Sequence, residues 1–189
     1  MLTPFLLPKQ PLQHTVVLAE DQLPALARAV ATVAYPHMVL SLEGGLGAGK
    51  TTFVRHLGEA LGIPVRVTSP TFVYYNQYPV ATTATGVQQL IHADCYRLAE
   101  ATETAVDPPT DNWLVSELLT LQQQAPTVLV VEWGSVVATQ LQPCMTHHLQ
   151  ITTVQQDDDT LVPDDDALAV RQYQWFGSHP LTLEITPSE

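Results

Sequence analysis

Met38–Thr52 reads MVLSLEGGLGAGKTT. A short apolar run, Met38–Leu42, has the length and composition of a buried strand. It runs into Gly44-Gly45-Leu46-Gly47-Ala48-Gly49-Lys50-Thr51, which fits the phosphate-loop pattern G-x-x-x-x-G-K-[ST]. Each fixed position has a chemical reason. Glycines let backbone N–H groups curl around phosphate oxygens without a Cβ in the way. The helix that follows aims its positive N-terminus at the same anion. The candidate phosphate-binding residues are therefore Gly45, Leu46, Gly47, Ala48, Gly49, Lys50, Thr51 and Thr52. Lys50 is placed to reach the β- and γ-phosphates, and the Thr51 hydroxyl to ligate Mg²⁺. A flexible Gly-rich turn is the plain alternative, but the strand before the loop and the helix after it are what the phosphate-binding mechanism demands.

Outward from this stretch the chain alternates. On the N-terminal side, His14–Leu18 reads as a strand and Leu23–Val33 as a helix, with Leu23, Leu26, Ala27, Val30 and Ala31 on one face. On the C-terminal side, Thr51–Leu61 reads as a helix stopped by Gly62. Strands are expected at Phe72–Tyr78, Gln89–His92, Thr127–Val131 and His147–Val154, with a helix over Trp113–Gln124. Ala99–Asn112 is expected to be irregular, because Pro108-Pro109 exclude helix there. Val170–Trp175 and Leu181–Thr186 are expected as the last two strands. The pattern implies an α/β, P-loop NTPase-like fold: a mostly parallel central sheet flanked by helices, with additional C-terminal strands. At 189 residues the chain fits one domain. Residues 15–189 are assigned to it and 1–14 to a flexible N-terminal arm. Gln155–Asp166, with six aspartates, is read as a solvated loop.

A phosphate loop needs a carboxylate near Mg²⁺, usually at the end of a buried strand. Glu132 ends TVLVV and Asp94 ends LIHAD, where a parallel sheet places residues beside the phosphates. Glu132 is the candidate for holding Mg²⁺, directly or through water. Asp94 is the candidate for completing the metal shell or positioning the attacking water.

Composition narrows the function classes. Seven Lys and Arg against 19 Asp and Glu give a net charge of −12, too few cations for a phosphate-backbone footprint of its own. Any nucleic-acid role must run through a partner. No apolar run approaches the length needed to cross a bilayer. The N-terminal MLTPFLLPKQPLQ lacks the basic region of a signal peptide, which points to the cytoplasm and no membrane association. The two cysteines, Cys95 and Cys144, form no C-x-x-C pair, arguing against a disulfide framework or structural zinc. His147 and His148 are adjacent and face opposite sides of a strand, so with His92 they are read as ordinary strand residues.

Four motifs occur in order: GGLGAGKTT, SPTF at Ser69–Phe72, HADCYR at His92–Arg97 and VVEW at Val130–Trp133. Together they resemble the bacterial tRNA threonylcarbamoyladenosine biosynthesis ATPase family, TsaE (also called YjeE), over roughly residues 15–151. The resemblance implies a small cytoplasmic P-loop ATPase that binds and hydrolyses Mg-ATP. It would cycle the TsaB and TsaD proteins, which carry out the transfer to adenosine beside the anticodon and meet tRNA directly. It implies that Lys50 binds phosphates, that Thr51 and Glu132 hold Mg²⁺, and that Asp94 is catalytic or part of the metal shell. It also implies a γ-phosphate-sensing switch at Ser69, Pro70 and Thr71, and Trp133 beside the site. Trp133 as a core aromatic and Thr71 as a turn residue remain open. Arg97 is either a brace for the loop after Asp94 or a stabiliser of phosphate charge.

The chain departs from the family pattern at Gly45, where Asp is usual, and at Pro24, near the place of a Thr close to the nucleotide base. Two other functions share the phosphate loop. A small-molecule kinase needs an arginine-bearing lid, whereas Arg55, Arg66, Arg97 and Arg171 do not cluster in sequence. A nucleotide-gated binding module with little hydrolysis draws its support from Gly45.

Overall fold

The computed structural model describes residues 12–81, 84–99, 113–141, 144–154, 170–177 and 179–183. In chain order the elements are β1 (Leu12–Leu18), α1 (Leu23–Val33), β2 (Val39–Glu43), α2 (Lys50–Ala60), β3 (Tyr75–Pro79), β4 (Gln89–Asp94), α3 (Trp113–Gln124), β5 (Thr127–Glu132), β6 (His147–Thr153) and β7 (Arg171–Gly177). The strands form one sheet in the order β1-β7-β6-β2-β5-β4-β3. The four central strands, β6-β2-β5-β4, are parallel, while β3, β7 and β1 join antiparallel. This is the expected α/β architecture with a parallel centre.

Alternation along the strands divides the core between the two faces of the sheet. Leu40, Leu42, Leu90, Val128 and Val130 pack with Leu26 and Val30 of α1 and Phe53, Val54 and Leu57 of α2. Val39, Ile91, Ala93, Leu129 and Val131 pack with Leu114, Val115 and Leu118 of α3. Burial on both faces accounts for the near-continuous apolar runs of β2 and β5.

Several boundaries differ from the sequence reading. β1 begins at Leu12, inside the arm expected over 1–14. The strand expected from Phe72 begins only at Tyr75. Val73 N–H donates to Pro70 O at 2.9 Å, closing a turn that leaves Phe72 and Val73 exposed. Residues 181–183 form no strand. Trp175 Nε1 instead donates to His179 O at 2.9 Å, and Leu181 is buried against the core. Both the Asp-rich stretch Gln155–Asp166 and most of the irregular segment, residues 100–112, lie outside the described residues.

Candidate functional site: a phosphate-loop cleft lined by carboxylates

The register aligns the C-terminal ends of three adjacent parallel strands. Leu42 and Glu132 are paired, as are Asp94 and Glu132. Glu132 and Asp94 therefore stand side by side on one face, while Glu43, one residue beyond Leu42, alternates to the other face and ends β2 where the phosphate loop leaves the sheet. Gly47 and Gly49 turn the loop with φ of 75° and 97°, left-handed conformations that a Cβ disfavours. Gly49 caps α2, whose first residue is Lys50.

The loop and strand ends enclose a cleft of about 360 Å³. It is lined by Leu46, Gly47, Ala48, Gly49, Lys50, Thr51, Thr52, Ser69, Thr71, Asp94, Tyr96, Glu132 and Trp133. Most of the residues singled out in the sequence thus meet in one place. Gly45, Pro70 and Arg97 do not line it. Gly45 sits at the loop's exposed start, and a Cβ there would meet nothing within 4 Å, so the Asp usual in the family would fit. Pro70 is buried where the Pro70–Val73 turn begins. Arg97 is exposed and lies over the Tyr74 ring at 5.2 Å, the geometry of a brace.

Lys50 is buried, and its Nζ donates to Gly44 O at 2.8 Å and Gly45 O at 3.0 Å. The ammonium also lies 4.2 Å from the centre of the Trp133 ring. Burial pushes its pKa below the usual lysine range, while the charges of Glu132, Glu43 and Asp94 oppose that shift. Trp133 is half-buried, packing against the core cluster on the α3 side while also lining the cleft, and it takes a left-handed backbone conformation with φ 58°. For a non-glycine residue this costs about 1–2 kcal/mol. It also turns the chain directly after β5, so that the indole comes over the loop lysine.

Three hydrogen-bond systems organise the carboxylates. Glu132 is buried, and its Oε1 accepts from the Thr51 hydroxyl at 2.8 Å and from His92 Nε2 at 2.7 Å. Asp94 accepts on both oxygens, from Thr71 Oγ1 at 2.5 Å and from Tyr96 N–H at 2.9 Å. The Ser69 hydroxyl lies 2.6 Å from Thr71 Oγ1, so the SPT segment is tied to Asp94. Glu43 accepts from Ser135 N–H at 2.5 Å and from the Ser135 hydroxyl at 3.1 Å. Burial raises its pKa, against the opposing pull of Ser135 and Lys50.

The donor set fits a magnesium nucleotide. A hydroxyl and carboxylates are the hard oxygen ligands that Mg²⁺ takes, usually with waters and substrate phosphates completing its shell. No group of three or more His, Cys, Asp or Glu among the described residues is arranged to hold a metal alone.

Sequence reasoning missed four residues here. His92 was legible from alternation, since it lies two residues before Asp94 and faces the same side. Glu43 was legible as the last residue of β2. Tyr96 contributes to the lining beyond the strand end. Arg171 has no local signal: its Nε lies 3.8 Å from where a Gly49 Cβ would stand, because β7 returns across the sheet. Its guanidinium also pairs with Glu20 at 3.3 Å.

Residues 17–161 match the family described as threonylcarbamoyl adenosine biosynthesis protein TsaE. The chain is 35% identical over 139 residues to the tRNA threonylcarbamoyladenosine biosynthesis protein TsaE of Bacillus subtilis, covering 74% of this chain and 75% of that one. It is 38% identical over 109 residues to the protein of the same name from Streptomyces coelicolor, covering 58% and 65%. In structure it resembles crystalline Bacillus subtilis YdiB, with a TM-score of 0.53 over 88% of this chain and 87% of that chain, at 24% identity. No helix among the described residues is long and apolar enough to cross a membrane.

Proposed function

The chain belongs to the TsaE family of tRNA threonylcarbamoyladenosine biosynthesis, and from that premise we propose that it is the family's Mg-ATP-binding and hydrolysing subunit, acting in the cytoplasm with TsaB and TsaD. The observation that carries this is the Thr51 hydroxyl on Glu132 at 2.8 Å, directly after the loop lysine. Thr51 spends its one proton on Glu132 and keeps its lone pairs for a cation. Glu132 anchors that hydroxyl from the end of a rigid, buried strand. Bound Mg²⁺ would neutralise charge on the β- and γ-phosphates.

The remaining roles follow from the same geometry. The loop N–H groups and the N-terminus of α2 bind the phosphates. Lys50, held over Trp133, is already at the loop and needs only to reach toward the ligand. Asp94 is engaged on both oxygens, so its work on an attacking water begins with release of Thr71. That couples the Ser69–Pro70–Thr71 segment to the chemistry. The net charge of −12 leaves tRNA contact to the partner proteins.

The test is equilibrium binding of ATP with and without Mg²⁺, to the natural protein and to Lys50→Ala. Mg²⁺-dependent binding that weakens at least tenfold in the variant, or about 1.4 kcal/mol, is expected. Equal binding by both proteins would overturn the assignment of the cleft.

A further inference from the structure

His92 is fully buried in β4, on the face otherwise made of Leu90, Val128 and Val130. A histidine there sacrifices apolar packing, and its Nδ1 has no hydrogen-bond partner among the described residues. Its described hydrogen bond runs from Nε2 to Glu132 Oε1 at 2.7 Å. A carboxylate oxygen only accepts, so Nε2 carries the proton and donates. Thr51 donates to the same oxygen at 2.8 Å. Two donors from two elements, β4 and α2, thus converge on Oε1, and neither occupies Oε2. A carboxylate held by one donor is free to swing, whereas one held from two directions is fixed in orientation.

We infer that His92 is a positioning residue for magnesium: its Nε2–H fixes the Glu132 carboxylate so that Oε1 holds the Thr51 hydroxyl and Oε2 stays uncommitted for the cation or its water. The inference rests on the reading of the cleft as a Mg-nucleotide site. Donors behind a metal-ligating group commonly set metal affinity by 10–100-fold when removed.

The experiment is a binding titration and needs no turnover. Mg²⁺ is titrated into protein with a fluorescent ATP analogue, and the Mg²⁺ concentration that half-saturates the tightening is read. His92→Leu is expected to raise it about 10–100-fold, while analogue binding in EDTA stays within about twofold. His92→Gln places an amide N–H near the position of Nε2 and should recover most of the loss. His92→Asn has the same chemistry but falls short of Glu132, and should not. A folded His92→Leu protein that titrates like the natural one would overturn the inference. So would Gln and Asn variants with equal half-saturation, a comparison that decides the matter even if the Leu variant does not fold. Glu132→Gln separates the two levels. If the natural protein shows no Mg²⁺ dependence, or Glu132→Gln leaves it unchanged, the cleft reading fails and the inference falls with it. If Glu132→Gln is defective and His92→Leu is not, only the role of His92 fails.

Discussion

Gly134→Ala isolates the contact that docks the turn after β5 onto β2. A Cβ at position 134 would land on Ser41 Oγ, well inside contact distance, and 3.0 Å from Ser41 Cβ. Both residues are buried, and β2 and β5 are paired in the middle of the sheet, so neither backbone yields easily. Overpacking of this kind costs about 1–3 kcal/mol, which for a chain of this size lowers Tm by about 2–4 °C per kcal/mol. Ser41 Oγ has no hydrogen-bond partner among the described residues, so Ser41→Ala alone is expected to leave stability unchanged or raise it. Combined with Gly134→Ala it removes the worst overlap and leaves only the Cβ contact. The double variant should therefore recover at least about 1 kcal/mol, seen as coupling in a double-mutant cycle from urea unfolding. The consequence reaches the site, because the same turn carries Trp133 over Lys50 and Ser135 onto Glu43. ATP binding should weaken in Gly134→Ala and return in the double variant. Costs that add to within about 0.5 kcal/mol, or a Gly134→Ala protein as stable as the natural one, would show that a side chain at 134 does not collide with Ser41.

Other expected outcomes follow from the same geometry. Glu132→Ala should abolish Mg²⁺-dependent tightening of ATP and also destabilise the fold by about 1–3 kcal/mol, because His92 Nε2 loses its buried partner; ATP titration and urea unfolding on one sample check both. Thiol labelling of the native protein should modify Cys144 quickly and Cys95 only on unfolding, since Cys144 is exposed while burial and the nearby Asp94 and Glu43 charges raise the Cys95 thiol to about 12. Burial lowers His147 and His148 to about 4, so the unfolded chain takes up protons that the folded one refuses. Their stabilising contribution is present above the unfolded pKa of 6.5 and is lost between there and 4, at most about 3 kcal/mol each; a flatter pH dependence of unfolding free energy in a His147→Phe, His148→Leu protein would show it.

The phosphate loop and the two strand-end carboxylates were legible because each is fixed by a local rule: a glycine pattern between strand and helix, and apolar runs ending in an acid. The parallel centre followed from alternation of strands and helices. What stayed hidden depended on pairing across the sheet or on turns that override propensity. Phe72 and Val73 have strand-forming side chains, yet the Pro70–Val73 turn places them in solvent. Leu181 was apolar enough for a strand, yet it is buried against the core while residues 181–183 join no strand. Arg171 approaches Gly49 only because β7 runs antiparallel to β6, a relation no local window contains. His92 lay within reach of the alternation argument and was set aside as ordinary; what gives it a partner is the β4–β5 register, which brings Glu132 alongside.

Phosphate release from Mg-ATP, measured for the purified chain alone and with TsaB and TsaD, tests whether the cleft is a magnesium-dependent ATPase that works through those two proteins. Release is expected to be slow for the chain alone, to rise when both partners are present, and to lose that rise in Lys50→Ala. ATP bound but never hydrolysed under any of these conditions would rule out an ATPase, and would make the cleft, with Gly45 at its start, a nucleotide-gated switch.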